Sequence, residues 1–273
     1  MKSLLITGGA GYVGSHTALF FLKKGYKIFI LDSYVNSFYK SIKRIESICS
    51  NEEIKIVNSL YSFDGDIRNQ GDLRKVFNFA KSIGLEIDGV IHFAGLKSVN
   101  DSVSDPLSYW DVNVNGTLNL LKIMEENHCR TFVFSSSATI YGDINKFHIK
   151  ETDPVMPINP YGDTKATIEK ILENLSNLHR NSWRIINLRY FNPIGAHYSG
   201  LLGENPKGKP NNIIPIVLKV ALGKFEKFFI YGNDWPTKDG TCIRDYIHVE
   251  DVAKGHYAAI ERLTKEKEYF RNI

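Results

Sequence analysis

The chain has 273 residues, 43% hydrophobic and 23% charged, with a net charge of +4 spread along its length. This is long enough for a substantial core, and the mixed-sign stretch 261–268 (ERLTKEKE) reads as a solvated helix face, so no nucleic-acid partner is expected. Cys49, Cys129 and Cys242 show no CxxC or CxxxH spacing and read as reduced thiols, so no disulfide framework and no metal site are expected. No apolar run approaches ~18 residues, and the chain enters a strand at once with KSLLIT. Neither a membrane span nor a signal peptide is expected, and the expected compartment is the cytoplasm.

Short apolar runs alternate with helical patterns from the first residues. Leu4–Ile6 reads as a buried strand and Ala18–Lys24 as helix, with Gly8, Gly11 and Gly14 between them in TGGAGYVGSH. Glycines at that spacing permit a tight turn, let backbone N–H groups approach a pyrophosphate, and let the helix pack close. The helix N-terminus then offers free N–H groups to phosphates. A second strand, Ile28–Leu31, ends at Asp32, about 20 residues beyond the glycines, where a carboxylate accepts hydrogen bonds from ribose hydroxyls. Such a carboxylate repels a 2′-phosphate, and no Lys or Arg follows before Lys40, which favours NAD over NADP. Polar residues 51–64 read as a loop elaboration before a third strand closed by Asp66. That residue suits an adenine contact, with a helix N-cap as the alternative.

Asp72–Ile83 and Asn115–Asn127 read as helices. Between them the strand Val90–Ile91 ends in HFAGLK, whose Ala94 and Gly95 let a cofactor lie against backbone. Phe132–Phe134 is the next strand and delivers Ser135 to Ser137 at its carboxyl end, where a parallel sheet opens its ligand crevice. Tyr161 and Lys165 follow in NPYGDTK. Pro160 suits a first helical position with Asn159 as cap, and Ile168, Ile171, Leu172 and Leu175 form an apolar stripe that anchors the helix, Ala166–Leu178, on the sheet. Four residues apart, Tyr161 and Lys165 share a face. The same spacing recurs at Tyr39 and Lys43, on the adenosine side, and reads there as structural. A free tyrosine titrates at ~10, and lowering it to ~7 takes about 4 kcal/mol, which one cation ~4 Å away supplies at an effective dielectric of ~20. Lys165 and an oxidised nicotinamide are the candidate cations. Ser137 would hold a substrate hydroxyl while the phenolate removes its proton.

Ile185–Leu188 is a further strand. After Tyr190, Gly, Pro and Asn become dense from 192 to 215, and only short elements are expected. The fold class expected is thus α/β, a doubly wound parallel sheet of the Rossmann type. Residues 1–190 form the nucleotide-binding domain. Residues 191–273 form a smaller substrate-binding region, some of whose segments return to the first.

The segments TGGAGYVGSH, HFAGLKSV, NVNGTL, FSSSATIYGD, NPYGDTK, LRYFNPIGAH, PNNIIP and GTCIRDYIHVED are collinear and span nearly the whole chain. Together they resemble the extended short-chain dehydrogenase/reductase family and, within it, the UDP-glucose 4-epimerases. The resemblance implies reversible epimerisation of a UDP-hexose at C4 through a 4-keto intermediate, with hydride stored on tightly held NAD. It implies Ser137, Tyr161 and Lys165 as catalytic residues. It implies cofactor contacts from Gly8, Gly11, Tyr12, Val13, Gly14, Asp32, Ser33, Asn36, Ser37, Asp66, Ile67, Phe93, Ala94, Gly95, Lys97, Asn113, Ser135, Tyr161, Lys165 and Tyr190. Substrate contacts would come from Lys97, Ser137, Tyr161, Phe191, Asn192, Asn212, Tyr231 and Arg244, and a homodimer stays open.

Cys242 departs from the family's usual glycine. The family also continues past EYFRNI with another strand and a second diphosphate-binding arginine, so the chain is expected to be truncated and its own activity reduced. Within the family a dehydratase would need an Asp-Glu pair where Ala138 and Thr139 stand; a decarboxylase is an alternative that LRYFNPIGAH and PNNIIP disfavour. A non-catalytic NAD-binding protein is the alternative of a different class.

Overall fold

The computed structural model describes residues 2–144, 148–178, 183–208, 210–265 and 269–273. Along the chain, β1 (Ser3–Thr7) leads to α1 (Tyr12–Lys23), β2 (Lys27–Asp32), α2 (Lys40–Asn51), β3 (Leu60–Asp64), α3 (Gln70–Ser82) and β4 (Gly89–His92). Short helices α4 (Val99–Ser104) and α5 (Pro106–Tyr109) run through a π-helical turn, Trp110–Asn115, into α6 (Gly116–Glu126). Then come β5 (Thr131–Ser135), a 3-10 turn at Ala138–Tyr141, α7 (Pro160–Leu178) and β6 (Arg184–Leu188). The chain continues with β7 (Asn192–Ile194), α8 (Ile213–Ala221), β8 (Tyr246–His248), α9 (Val249–Lys265) and β9 (Tyr269–Asn272).

The main sheet is 7-stranded and parallel, ordered β3-β2-β1-β4-β5-β6-β9, with β7 and β8 paired in a small sheet of their own. Strands β1, β4 and β5 are buried along their full length. Continuous apolar runs suit them because neither face meets water. Alternate residues of each strand feed opposite cores. Ile6, Ile30 and Ile186 pack with Phe21 of α1, Ile45 of α2 and Ile260 and Leu263 of α9. Leu5, Phe29, Val90 and Phe132 pack with Val76 of α3, Met124 of α6 and Leu172 of α7.

The doubly wound parallel sheet is as the sequence implies, and three local expectations are corrected. Residues 51–64 are not simply a loop: β3 occupies Leu60–Asp64, ends before Asp66, and is half-buried at the sheet edge. An edge strand lacks the unbroken apolar run that marks its central neighbours. The helix after it is capped by Asn69, whose side chain accepts from Gly71 N, and not by Asp66. Beyond Tyr190 the elements are not all short, since α9 runs 17 residues with Val249, Val252, Ala253, His256, Ala259, Ile260 and Leu263 buried. That helical period carries it back onto α1 and the sheet. Of the stretch 261–268, α9 includes 261–265, and 266–268 lie outside the described residues.

Strand order reverses between β1 and β4, so the chain leaves these neighbours in opposite directions and opens a crevice at their carboxyl ends. Helix α7 overlooks that crevice. Pro160 is its first residue, Asn159 Oδ1 accepts from Gly162 N at 2.9 Å, and Ile168 and Leu172 are fully buried beneath it. Leu172→Ala should therefore cost about 2–5 kcal/mol, measured by urea unfolding; a loss within 0.5 kcal/mol would show that this stripe does not anchor the helix.

Candidate active site

The glycine turn closes on itself before it meets any ligand. Gly8 has φ +70°, and a Cβ there would lie 2.7 Å from Ala94 N, so the loops after β1 and β4 touch at the crevice. A Cβ on Gly14 would lie 2.3 Å from Gly8 O, so glycine lets α1 rest directly on the turn. Gly11 is the N-cap of α1 and supplies no side-chain cap, leaving the first-turn N–H groups of Tyr12, Val13 and Gly14 without intrahelical acceptors. Such an end suits an anion. Tyr12 turns away and donates to Gly195 O at 2.6 Å; burial, and Glu204 nearby, push its phenol well above the usual range.

Asp32 is 8% exposed and accepts from Ala10 N (2.9 Å), Tyr34 N (2.9 Å) and Ser37 Oγ (2.8 Å). Its Oδ2 accepts only from Ala10 among these, which leaves acceptor capacity toward the crevice. Ser33 and Asn36 are exposed on the following loop. Uncapped helix, closed glycine turn and partly free carboxylate together fit a dinucleotide. Asp66 is committed differently: it holds Arg68 through both oxygens, and Arg68 also reaches Asp111 at 2.8 Å. Ile67 is buried beside Gly116. Tyr39 and Lys43, the second pair at this spacing, lie at the start of α2, where Lys43 pairs with Glu46 at 2.9 Å.

At the chemical end, Ser137 caps the 3-10 turn; its Oγ accepts from Thr139 N at 3.2 Å and donates to Thr139 Oγ1 at 2.9 Å. Ser137 also acts on Tyr161, favouring its ionised form. Lys165 is 6% exposed and donates to Ser135 O at 2.8 Å, with its Nζ 4.7 Å from the Phe134 ring centre and 5.8 Å from that of Tyr161. The expected poise of Tyr161 near ~7 does not arise from the protein alone. Desolvation pushes its phenol up to about 12, against the opposing effect of Ser137. Burial likewise lowers the Lys165 ammonium to about 8, with Glu169 acting to raise it. Tyr190 hydrogen-bonds Ser135 and is raised by burial, and its ring lies near His256, which also meets Phe93.

A buried relay sits behind Gly95. Asn113, in the π-helical turn, accepts from Leu96 N at 2.7 Å and donates to Leu96 O and Thr164 Oγ1, each at 3.1 Å. A Cβ on Gly95 would meet its Oδ1 at 2.9 Å. Thr117 donates to Asn113 O at 2.5 Å, so His92 Nε2, 2.8 Å away, must donate to Thr117, and His92 Nδ1 accepts from Thr7 at 2.6 Å. One tautomer satisfies the whole chain.

The sugar-side expectations are only partly gathered. Lys97 pairs with Glu204 at 3.2 Å, and Asn212 donates to the same carboxylate, so Glu204 links both. Asn192 donates to Asp245 O at 2.8 Å, tying β7 to the segment before β8. Phe191 is 41% exposed. Tyr231 is 84% exposed, and Arg244 is also exposed and donates to its neighbour's carbonyl, Ile243 O. Sequence reading missed Glu169, Arg189 and Glu204. Glu169 alone carried a signal, lying four residues beyond Lys165 on the same helical face.

A glycine turn at a topological switch point, facing a serine and a Tyr-x-x-x-Lys helix, defines a dinucleotide-dependent short-chain dehydrogenase/reductase. Residues 5–267 match the family model for GDP-mannose 4,6 dehydratase. The chain is 44% identical over 262 residues to a bifunctional UDP-glucose 4-epimerase and UDP-xylose 4-epimerase of Pisum sativum, covering 96% of this chain and 72% of that protein. It is 48% identical to the bifunctional protein gal10 of Schizosaccharomyces pombe, over 96% of this chain and 36% of that one. Among solved structures, UDP-glucose 4-epimerase from Bifidobacterium longum in complex with NAD+ and UDP superposes with a TM-score of 0.90 at 42% identity, covering 100% of this chain and 78% of that one. The chain belongs to the UDP-glucose 4-epimerase family of extended short-chain dehydrogenase/reductases. No helix among the described residues is long and apolar enough to cross a membrane.

Burial holds His92 neutral, lowering it to about 3, and lowers His256 to about 4. Both folded values lie below the ~6.5 of an unfolded histidine, so the unfolded chain binds more protons between them. Stability should be full above pH 6.5 and fall as pH drops toward 4. Urea unfolding across that range should show the fall, and His92→Gln should flatten it; an equal slope in that variant would remove His92 from the effect.

Proposed function

We propose that this chain carries the reversible C4 epimerisation of UDP-glucose and UDP-galactose, with residues 1–190 holding NAD and 191–273 contributing to the sugar nucleotide site. The observation that carries the reading is the convergence of Ser137, Tyr161 and Lys165 at the carboxyl end of β5, opposite the glycine turn. NAD, when bound, supplies a hydride acceptor and donor for the sugar C4. The first-turn amides of α1 would hold its phosphates and Asp32 its ribose, with Ser33, Asn36, Ser37, Asp66 and Ile67 around the adenosine. Phe93, Ala94, Gly95, Asn113, Ser135 and Tyr190 line the opposite end.

Tyr161 takes the proton of the C4 hydroxyl and returns it once the 4-keto sugar has presented its other face. Ser137 hydrogen-bonds the same oxygen through both half-reactions. Bringing Tyr161 from about 12 to ~7 takes about 7 kcal/mol. Lys165 is already in place at that value, and one further cation ~4 Å away supplies about 4 kcal/mol at an effective dielectric of ~20. The lowering therefore depends on positive charge brought into the loaded site. Lys97, Phe191, Asn192, Asn212, Tyr231 and Arg244 are the residues proposed to hold the UDP-sugar, Arg244 through its planar fork on diphosphate. Ala138 and Thr139 offer no carboxyl pair for a dehydration.

Residues 1–273 alone, given UDP-galactose without added NAD, should form UDP-glucose slowly or not at all, and the same residues within a chain of the full length of the Pisum sativum relative should form it clearly. Tyr161→Phe should lower turnover at least ~10²-fold while NAD binding survives. A full-length chain that binds NAD and leaves UDP-galactose unchanged would defeat the epimerase reading, and near-wild-type turnover in its Tyr161→Phe variant would remove that residue from the chemistry. Asp32→Ala should weaken NAD far more than NADP, as read by calorimetric titration; equal losses would contradict a ribose contact.

A further inference from the structure

Glu169 and Arg189 lie behind the Ser137, Tyr161 and Lys165 group, 5% and 8% exposed. Tyr161, Lys165 and Glu169 follow one another at intervals of four along α7 and so share one stripe. Glu169 Oε1 accepts from Ser136 Oγ at 2.5 Å and from Arg189 Nε at 3.0 Å, and its Oε2 accepts from Arg189 Nη2 at 2.5 Å. Arg189 Nη1 donates to Tyr141 Oη and to Glu151 O, each at 2.9 Å. The carboxylate and guanidinium together thus tie the carboxyl end of β5, helix α7, the residue after β6 and the 3-10 turn. Two buried charges are a poor means of adding stability, because desolvation offsets their attraction. What they secure is geometry: Ser136 stands between Ser135, whose carbonyl holds Lys165, and Ser137.

We propose that Glu169 is a positioning residue for the reaction assigned above: with Arg189 it fixes Ser135–Ser137 against α7, and its carboxylate, one turn beyond Lys165, keeps that side chain an ammonium. Lys165 is faced from β4 by His92, from its own helix by Tyr161 and Glu169, and from β5 by the Ser135 carbonyl and the Phe134 ring. Tyr109 acts on Tyr161, which in turn acts on Tyr190, and Arg189 lies against Glu169. His92 is neutral and the phenols are protonated, so Glu169 is the anion of this set. The inference rests on the proposed reaction only for what the positioning serves.

The test is competitive acetylation of the full chain by acetic anhydride across pH 6 to 10, with Lys165 followed by peptide mass spectrometry, in wild type, Glu169→Gln and Glu169→Gln/Arg189→Gln. Glutamine keeps an oxygen for Ser136 and removes the charge. The Lys165 midpoint should fall by about one unit in the single variant. It should lie between that value and wild type in the double variant, which leaves no lone buried charge and still decides the matter if the single variant fails to fold. With UDP-galactose, kcat should fall at least ~10-fold while KM stays within about threefold. A wild-type midpoint in the folded variants would overturn the proposal, because a merely structural pair would not move it. The labelling needs no turnover, so whether the chain turns over UDP-galactose bears on the epimerase reading and not on this result.

Discussion

Everything at this site depends on the contact between two loops at the place where strand order reverses. Gly8, after β1, lies so close to Ala94, after β4, that a single methyl group would drive them apart. That contact brings the uncapped end of α1 and the Gly95–Asn113 junction to the two sides of one crevice. It is a steric constraint and not an attraction, which is why glycine answers it: the turn needs φ +70° at Gly8 and no Cβ at Gly14. The buried relay from Thr7 through His92 and Thr117 to Asn113 then links the bases of the same two loops.

The second theme is charge kept out of water. Lys165 has a backbone carbonyl and two aromatic faces for company and yields part of its proton affinity to burial. Tyr161 beside it resists ionisation for the same reason. Neither residue is poised by the protein alone, and low dielectric makes each added charge count for more. Glu169 acts on a pair whose protonation states are otherwise held apart.

Much of this was legible along the chain. Gly8, Gly11 and Gly14 between a strand and a helix, Asp32 at the next strand end, and Asn159 and Pro160 opening α7 are local signals, each set by the conformation of a few consecutive residues. The edge strand β3 escaped because half-buried strands lack a continuous apolar run. Of helix α9 only the charged face from 261 was legible, because its buried residues from Val249 to Leu263 follow a long run of short elements. Glu169 and Arg189 escaped because charged residues are ordinarily exposed, and nothing in their neighbours announces that twenty positions of chain bring them together.

The sequence by itself determined the alternation of buried strands with helices that makes the parallel sheet, the nucleotide turn, and which Tyr-x-x-x-Lys pair opens a helix after a serine-ended strand. These follow from backbone preference and apolar period, which act over a few residues. Tertiary structure alone decided the protonation leanings of Tyr161 and Lys165, the tautomer of His92, and the bridging of Lys97 and Asn212 by Glu204. Those depend on desolvation and on partners remote in sequence, and neither exists until the sheet has been covered on both faces.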